Sequence, residues 1–331
     1  MTLIKESDRF FIAGASGMAG SAISRALHRH GFHNQLTPKS SELDLLNNEA
    51  VENWMKTNKP DVVVLAAAKV GGIQANNMQP ADFLLENLKI ETHVIEASWK
   101  CEVQRLLFLG SSCIYPKFAE QPIREEALLS GDLEPTNQWY AIAKIAGIKL
   151  TQALRKQYGF DAISLMPTNL YGQGDNYHLT NSHVLPALIR RFHEAKEVGV
   201  KQVKCWGSGE PFREFLHVDD LGDACTFALM HWNPDTDTNS RDSNGEPLTF
   251  LNVGTGYDLS IRKLSEKVAD VVGYKGSIYW DESKPDGTPK KQLDVARLTA
   301  MGWQAQIPLS QGLRMTYVDY CERINNGRLR V

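Results

Sequence analysis

Short apolar runs alternate with longer amphipathic stretches along the first half of the chain. The runs at 10–14, 61–68 and 105–112 are apolar on both faces, which is typical of buried parallel strands. The stretch at 18–31 has a helical pattern and ends at Gly31, a suitable helix C-cap. This alternation predicts an α/β fold with a Rossmann-like, doubly wound parallel sheet.

The second half of the chain has a less regular pattern. An apolar run at 162–172 is predicted to continue the sheet, and a further strand at 250–256 ends in a glycine-rich turn. The polar stretch at 232–247 predicts a surface loop. We expect residues 1–172, with returns at about 214–256, to form the Rossmann domain, and residues 173–213 and 257–331 to form a smaller mixed α/β domain.

Composition argues against several classes of partner. The 331 residues are 42% hydrophobic, and the net charge of −3 comes without a long basic run, so we expect no nucleic-acid partner. The longest apolar run, at 62–68, is too short to span a bilayer, and the charged start of the chain predicts no signal peptide. The five cysteines show no C-x-x-C spacing, which favours a reduced, cytoplasmic setting and predicts no metal site.

A glycine-rich segment, GASGMAG at 14–20, directly follows the first strand and opens the first helix. Its glycines would allow a tight turn and a close approach of a pyrophosphate to the backbone, where the helix N-terminus attracts negative charge. Taken alone, the segment is equally well explained as a tight turn. Its position favours a dinucleotide site, for which the predicted contacts are Gly14, Ala15, Ser16, Gly17, Met18, Ala19 and Gly20.

The end of the second strand bears on the choice between NAD and NADP. An acidic residue there would bind the adenosine ribose, but this chain has Lys39, Ser40 and Ser41. These side chains suit a phosphate on the ribose, so the segment favours NADPH, unless Lys39 is only a solvated surface residue. Asp44 is predicted to lie near the adenine.

Tyr140 and Lys144 are four residues apart and would share one face of a helix. A phenol has a pKa of about 10, and a neighbouring ammonium would lower it and prepare the phenol for acid–base work. Lys144 would also reach the ribose of a nicotinamide cofactor. By themselves the two residues would be a surface pair, but the glycine turn and Ser111, at the end of an intervening strand, favour a catalytic group.

Cys113, in the segment GSSCIYP at 110–116, lies two residues beyond Ser111. On an extended strand end the two side chains would face the same side. A thiol beside a cation titrates close enough to neutrality to act as a base. From the residues alone, a small buried thiol is the simpler interpretation, and a lone histidine such as His183 is likewise more often structural.

Together these features resemble the extended branch of the short-chain dehydrogenase/reductase family over nearly the whole chain. The segments LAAAKVGG, PTNLYG, REFLHVDD and NVGTG look like its landmarks. Within that branch the chain is similar to the enzymes that convert GDP-4-keto-6-deoxy-D-mannose to GDP-L-fucose, by epimerisation at carbons 3 and 5 and NADPH-dependent reduction at carbon 4. The segments specific to that group are GSSCIYP, EPTNQWYAIAKIAG, NSHVLPALIRRFHEA and KPDGTPKKQLD.

The resemblance assigns roles to individual residues. It implies that Tyr140 is the acid of the reductase step, oriented by Lys144, and that Ser111 binds the carbonyl oxygen. Cys113 would be the base and His183 the acid of the epimerase steps. The further cofactor contacts that it implies are Leu109, Gly110, Ser111, Ser112, Tyr140, Lys144, Pro167, Thr168, Asn169, Leu170 and His183. The contacts that it implies for the GDP-sugar are Arg191, Trp206, Arg213 and Asp286.

The resemblance also implies an arrangement of the chain and its partners. The smaller domain would bind the nucleotide sugar, the segment 69–77 would lie beside cofactor and substrate, and a homodimer would form through the Tyr140 helix and the helix at 82–100. Two other hypotheses stay open. A nucleotide-sugar 4-epimerase with tightly bound NAD would share the glycines, Tyr140 and Lys144, and a catalytically silent regulator would bind NADPH without turnover.

Overall fold

The computed structural model describes residues 2–179, 181–284 and 286–330, apart from the side chain of Ile73. Its strands are β1 (Phe10–Ala13), β2 (Gln35–Leu36), β3 (Val62–Leu65), β4 (Arg105–Leu109), β5 (Ala162–Pro167), β6 (Asn169–Tyr171), β7 (Gln202–Trp206), β8 (Phe212–His217), β9 (Phe250–Val253), β10 (Asp258–Ser260), β11 (Ser277–Asp281) and β12 (Lys290–Lys291). Its helices are α1 (Met18–Arg29), α2 (Asn48–Asn58), α3 (Ile73–Met78), α4 (Pro80–Lys100), α5 (Gln138–Tyr158), α6 (Val184–Glu197), α7 (Val218–His231), α8 (Ile261–Val272), α9 (Ala296–Ala300) and α10 (Leu309–Asn325).

Six strands form a parallel sheet in the order β2-β1-β3-β4-β5-β9. Successive side chains of β1 point to opposite faces, so that Phe10 and Ile12 pack with α1 and α7, while Phe11 and Ala13 pack with α2, α4 and α5. Because both faces are covered by helices, the strands are apolar throughout. The predicted Rossmann-like α/β fold is confirmed.

A smaller group of strands follows the first sheet. β8 pairs antiparallel with β10 and in parallel with β6 and β12, and β7 pairs in parallel with β11. Beside these strands, α6, α8 and α10 enclose a third apolar cluster, which includes Phe192, Leu264 and Tyr320. This part of the molecule mixes helices with both strand directions, as the irregular pattern of the sequence indicates.

The run at 162–172 does not remain in the first sheet to its end, contrary to the prediction. β5 ends at Pro167, and β6 pairs with β8 in the smaller sheet. The chain changes sheet because Thr168 Oγ1 and Asn169 Nδ2 both donate to the Glu214 carbonyl, at 3.2 and 2.8 Å. The predicted domain boundary at 172 therefore lies directly after β6, and the one at 214 lies within β8. The division of the chain into two domains at these positions stays a prediction.

The helix α1 and the stretch at 232–247 agree with the predictions for them. α1 begins directly after the glycine-rich turn, and Gly31 follows its end with a φ of 90°. The stretch at 232–247 contains turns and one isolated bridge, between Arg241 and Pro247. Over the described ranges, no helix has the length and apolar character needed to cross a membrane, and no group of histidine, cysteine and acidic side chains is arranged to hold a metal ion.

Candidate active site

The glycine-rich turn between β1 and α1 is so closely packed that side chains would collide with backbone. A Cβ on Gly20 would overlap the Gly14 carbonyl oxygen, and a Cβ on Gly14 would lie 2.7 Å from the Ala67 backbone. Gly14 also has a φ of 89°, in the region that favours glycine. Gly17 is the N-cap of α1, and no described side chain caps the first N–H groups of this helix. The turn is therefore open to an anion such as a pyrophosphate.

A cavity lies beside this turn, between the ends of β1 and β3 and the chain that follows β2. Among its lining residues are Gly14, Ser16, Pro38, Ser40, Asp44 and Ile90. The Asp44 carboxylate accepts a hydrogen bond from the Leu46 N–H at 2.9 Å. Lys39 is exposed between two lining residues, and its backbone N–H donates to the Glu42 carboxylate at 2.7 Å. The cavity suits an adenosine, with the lysine at its rim.

Lys144 is buried on α5 and is held by groups from two other elements. Its Nζ lies 3.0 Å from Glu91 Oε1 on α4 and donates to the Leu109 carbonyl, also at 3.0 Å. The same atom lies 4.7 Å from the centre of the Phe108 ring and 5.7 Å from that of Tyr140. Burial raises the pKa of Glu91, and the Lys144 ammonium opposes that effect. The ammonium thus has a buried counterion.

Tyr140 lies one helical turn before Lys144, at the wall of the cleft. Burial raises the pKa of its phenol well above the usual value, the charges of Cys113 and Glu91 act in the same direction, and a hydrogen bond with Ser111 opposes them. The sequence predicts that Lys144 lowers this pKa, but the net direction is upward, because burial outweighs the hydrogen bond with Ser111. The phenol is therefore protonated at neutral pH, which suits a proton donor. The structure does bring Ser111, Tyr140 and Lys144 together.

Ser111 and Cys113 do not lie on an extended strand end, so the predicted geometry is wrong here. β4 ends at Leu109, and Ser111 is the N-cap of a 3₁₀ turn at Ser112–Ile114. The Ser111 hydroxyl accepts a hydrogen bond from the Cys113 N–H at 3.2 Å, which is the usual way to begin such a turn. As a result the Ser111 hydroxyl is turned to Tyr140, while the Cys113 thiol contacts other elements.

The Cys113 thiol touches two polar side chains. Asn137 Nδ2, from the N-cap residue of α5, and Lys291 Nζ, from β12, each lie 3.5 Å from its Sγ. Cys113 is partly exposed, and a small cavity beside it is also lined by Glu134 and Lys117. This environment is polar and cationic, so the interpretation of Cys113 as a buried apolar filler does not fit.

His183 is the N-cap residue of α6 and is exposed. Desolvation by its surroundings, and secondly the Lys291 ammonium, lower the pKa of its imidazole. The segment 69–77 lies against the chain that carries it, because the Gly72 N–H donates to the Asn181 carbonyl at 2.8 Å. A Cβ on Gly72 would lie only 2.6 Å from the Ser182 carbonyl oxygen. This close backbone contact fixes the approach of the chain to His183.

The other predicted cofactor contacts follow the carboxyl ends of β4 and β5, where ligands of such sheets usually bind. The Gly110 N–H donates to the Leu165 carbonyl at 3.0 Å, and a Cβ on Gly110 would overlap Met166 Sδ. Ser112 is buried in the 3₁₀ turn. The remaining four residues lie on the path from the end of β5 into β6, namely Pro167, Thr168, Asn169 and Leu170.

Three of the residues predicted for the sugar nucleotide surround the end of β7. Arg191 Nη1 donates to the Lys204 carbonyl at 3.0 Å, and Trp206, the last residue of β7, is 56% exposed. Asp286 accepts hydrogen bonds from the N–H and the hydroxyl of Ser208, at 2.9 and 2.6 Å. Asp286 therefore holds the turn that follows Trp206, and the Lys284 ammonium lies 5.9 Å from the centre of the exposed indole ring.

Arg213 connects this region to the thiol. It lies on β8, in register with Lys291 of the neighbouring strand β12. Burial lowers the pKa of its guanidinium, while the charges of Cys113, Asp286 and Glu134 raise it. The guanidinium is thus within electrostatic range of the thiol and of the turn beside Trp206.

Four residues of the site were not predicted from the sequence: Glu91, Asn137, Glu214 and Lys291. Glu91 carries a signal that was available, because it is a carboxylate on the buried face of a largely apolar helix. Glu214 accepts the N–H groups of Thr255, Gly256 and Leu293 at 2.6, 2.8 and 2.8 Å, and only the fold brings these together. Lys291 is 178 residues from Cys113 in the chain, and no local pattern links them.

The fold and these side chains define a class of protein: an oxidoreductase that uses a nicotinamide dinucleotide and a serine, a tyrosine and a lysine at the edge of a parallel sheet. A family model described as "NAD dependent epimerase/dehydratase family" matches residues 10–239. The chain belongs to this family.

Relatives and solved structures narrow the group. The chain is 54% identical over 322 residues to "Putative GDP-L-fucose synthase 2" of Arabidopsis thaliana, covering 97% of this chain and 94% of the relative. It is 52% identical over 327 residues to "GDP-L-fucose synthase" of Escherichia coli strain K12, covering 97% and 98%. Among solved structures, it is similar to "GDP-mannoheptose C4 reductase from Campylobacter jejuni with NADP bound", with 35% identity, a TM-score of 0.85, and coverage of 96% and 99%.

Proposed function

We propose that the protein converts GDP-4-keto-6-deoxy-D-mannose to GDP-L-fucose, by epimerisation at carbons 3 and 5 and NADPH-dependent reduction at carbon 4. The observation that carries this proposal is one cleft with two acid–base sets. We call Ser111, Tyr140 and Lys144 the reductase set, and Cys113 with His183 the epimerase set. The similarity to GDP-L-fucose synthases of a plant and a bacterium supports the choice of substrate.

The residues present fit NADPH. The glycine-rich turn offers the N–H groups at the start of α1 to a pyrophosphate, and the cavity beside Asp44 suits an adenosine. Lys39 and Ser40, at the rim of that cavity, suit a phosphate on the ribose. When bound, the cofactor supplies the hydride that reaches carbon 4. The relative that was solved with NADP supports this choice.

In the reductase step we assign proton donation to Tyr140. Its raised pKa keeps the phenol protonated, and the carbonyl oxygen gains negative charge as carbon 4 is reduced. The phenol gives its proton to that oxygen, and the Ser111 hydroxyl donates a second hydrogen bond to it. Lys144, held between Glu91 and the Leu109 carbonyl, fixes this face of α5.

In the epimerase steps the same carbonyl acidifies the protons on carbons 3 and 5. Cys113 removes a proton from one face of the ring, and His183 returns one from the opposite face. Tyr140 and Ser111 donate hydrogen bonds to the oxygen of the enediolate. The lowered pKa of His183 makes its protonated form a stronger donor. One carbonyl thus serves both chemistries.

We assign the GDP group to the smaller sheet and its helices, the proposed nucleotide-sugar domain. Arg191 and Arg213 suit the diphosphate, since guanidinium groups match phosphate oxygens in pairs. The exposed Trp206 suits stacking on the base. Asp286 supports this position through the turn at 207–209.

We also propose a homodimer through α4 and α5 and a cytoplasmic setting. The two helices present exposed apolar side chains, namely Leu85, Trp139, Ile142 and Tyr158. All five cysteines are free thiols, which agrees with a reducing compartment. The mass of the protein in solution, with Leu85→Glu as the disrupting variant, tests the dimer.

The test of the proposed function is oxidation of NADPH with freshly prepared GDP-4-keto-6-deoxy-D-mannose, with NADH in parallel and the product identified by NMR. We expect consumption of NADPH and a fucose-configured product. A cofactor that stays bound, with no net consumption, would instead identify a 4-epimerase with NAD. Binding of NADPH without turnover would identify a silent regulator.

A substitution of the thiol tests the division of labour. Cys113→Ser is expected to lower deuterium incorporation from solvent at carbons 3 and 5 by at least about 100-fold, because the hydroxyl is a far weaker base. NADPH consumption is expected to continue and to give a product without inversion. Inversion at the wild-type rate would show that another residue is the base.

A further inference from the structure

One cation lies within reach of both members of the epimerase set. Lys291 Nζ is 3.5 Å from Cys113 Sγ. Desolvation is the main cause that lowers the pKa of His183, and the Lys291 ammonium is the second. The thiol and the imidazole come from different elements, the 3₁₀ turn after β4 and the start of α6. The mechanism described above leaves Lys291 without a role.

The backbone around Lys291 is held from both sides. β12 pairs with β8 so that Lys291 lies opposite Arg213, and the Phe212 N–H donates to the Pro289 carbonyl at 2.8 Å. After the strand, the Gln292 N–H donates to the Gln121 side chain at 2.9 Å. The next N–H donates to the buried Glu214 carboxylate at 2.8 Å. The approach of the ammonium to the thiol is therefore built into the fold.

The neighbouring lysine gives a natural contrast. Successive side chains of a strand point to opposite faces, and the Lys290 Nζ accordingly lies 3.3 Å from Asp258 Oδ2 on β10. Lys290 and Lys291 thus have the same charge and the same strand. Of the two, Lys291 is the one whose ammonium contacts Cys113.

Other charged or titratable groups also face the thiol. They are Arg213 on β8, Tyr140 on α5, and Glu134, Lys117 and Lys290 around the adjoining cavity. The Glu134 carboxylate opposes a negative charge on the sulfur, whereas the cations Arg213, Lys117 and Lys290 favour it. Within the described ranges, Lys291 is the cation that hydrogen-bonds the sulfur directly.

We propose that Lys291 is a positioning residue for the epimerase steps, whose ammonium stabilises Cys113 as the thiolate that removes protons from the sugar. In each removal, the proton passes from carbon to sulfur, and the electron pair of the C–H bond passes into the enediolate. Lys291 keeps its own protons throughout. The identity of the sugar rests on the proposed function, while the contact between ammonium and thiol does not.

Alkylation tests the proposal without any substrate. Iodoacetamide reacts with a thiolate, so the rate of modification of the Cys113 peptide against pH, read by mass spectrometry, follows the thiolate fraction. Lys291→Met is expected to move the midpoint of this profile up by about 1 pH unit or more, and to slow modification near neutral pH roughly tenfold. Lys291→Arg is expected to stay near the wild type. Lys290→Met is the matched control and should move the midpoint far less than Lys291→Met, because the Lys290 ammonium pairs with Asp258 and does not contact the sulfur.

Equal midpoints for the wild type and Lys291→Met would overturn the proposal. With the keto-sugar, Lys291→Met is expected to lower deuterium incorporation at carbons 3 and 5 by roughly tenfold or more, while NADPH-dependent reduction of the unepimerised ketone continues. Equal losses in both steps would mean that Lys291 acts on substrate binding and would also overturn it. If the wild type does not consume NADPH but the alkylation midpoint still moves in Lys291→Met, the proposed function fails and the role of Lys291 stands.

Discussion

The two acid–base sets of the cleft are built in opposite ways. The reductase set lies on α5 and at the end of β4, both parts of the main core, and the charge of Lys144 is cancelled inside the protein by Glu91. The epimerase set depends on α6 and β12, which belong to the second half of the chain. Its cation, Lys291, is only partly buried and faces the thiol directly.

This difference matches the chemistry proposed for each set. A proton donor that must stay protonated is served by burial and by neighbouring negative charges, which raise the pKa of Tyr140. A base that must lose its proton is served by an uncancelled cation. One cleft can hold both groups, provided that the two cations come from different elements and that only one of them has a buried counterion.

The largest loss of stability is expected at the glycine-rich turn, on the side of the cleft that belongs to the main core. Gly20→Ala would drive a Cβ into the Gly14 carbonyl oxygen, so the backbone of β1 or α1 must shift. We expect the free energy of unfolding to fall by more than about 4 kcal/mol, with loss of NADPH binding. Gly17→Ala is the control, because its Cβ would lie 3.3 Å from the same oxygen. If Gly20→Ala and Gly17→Ala lower the free energy of urea unfolding equally, the close packing at Gly20 does not stabilise the core side of the cleft.

The counterion of Lys144 is the next test. Glu91→Gln leaves the ammonium buried without a charge partner, which is expected to cost about 3 to 5 kcal/mol of stability. The double variant Glu91→Gln/Lys144→Met removes both charges and is expected to recover part of this loss in urea unfolding. If the double variant is no more stable than Glu91→Gln, the pair does not behave as a buried ion pair.

A pH-dependent effect of intermediate size is expected in the second half. Asp175, between β6 and α6, is fully buried, and burial raises its pKa from 3.8 to about 7. The folded protein holds this proton more tightly than the unfolded chain, so its stabilising effect is complete below about pH 4 and is lost as the pH rises to about 7. Between about pH 4 and about pH 7, the free energy of unfolding of the wild type is expected to fall by at least about 2 kcal/mol more than that of Asp175→Asn.

Thermal unfolding from about pH 4 to about pH 8 measures this difference. The exposed Asp132 provides the control, since Asp132→Asn should follow the wild type at every pH. Parallel profiles for the wild type and Asp175→Asn would show that Asp175 is already ionised when folded. Asp175 would then make no pH-dependent contribution to the stability of the second half of the chain.

The smallest effect is expected at the contact between the segment 69–77 and the epimerase set. Gly72→Ala would push on the Ser182 backbone, next to His183, and is expected to cost only about 1 to 2 kcal/mol while lowering epimerisation more than reduction. Gly71→Ala is the control, because its Cβ would meet side chains of Ala75 and Phe83 rather than backbone. Deuterium incorporation measures epimerisation, and NADPH oxidation measures reduction. An equal decline of both rates in Gly72→Ala would show that this contact does not act on the epimerase set in particular.

The same division explains what could be predicted from the sequence. Strands covered on both faces are visible in the sequence as apolar runs, and the glycine-rich turn is visible as regularly spaced glycines. The first sheet and the cofactor end could therefore be predicted from local sequence patterns. The change of sheet at Thr168 was not, because it depends on hydrogen bonds to Glu214, far along the chain. The residues named for the epimerase set came from the resemblance alone, and Lys291 had no local signal at all.

The strand β12 that carries Lys291 is very short. The strand has two residues, both lysines, and alternation decides which of them faces Cys113. If one residue were inserted between Asp281 and Lys290 and the strand shifted by one position, Lys290 would take the place of Lys291 beside the thiol, and the sulfur would still meet an ammonium. A shift in the opposite direction would place Gln292 there, so the doubled lysine protects this half of the cleft against insertions in the preceding loop and not against deletions.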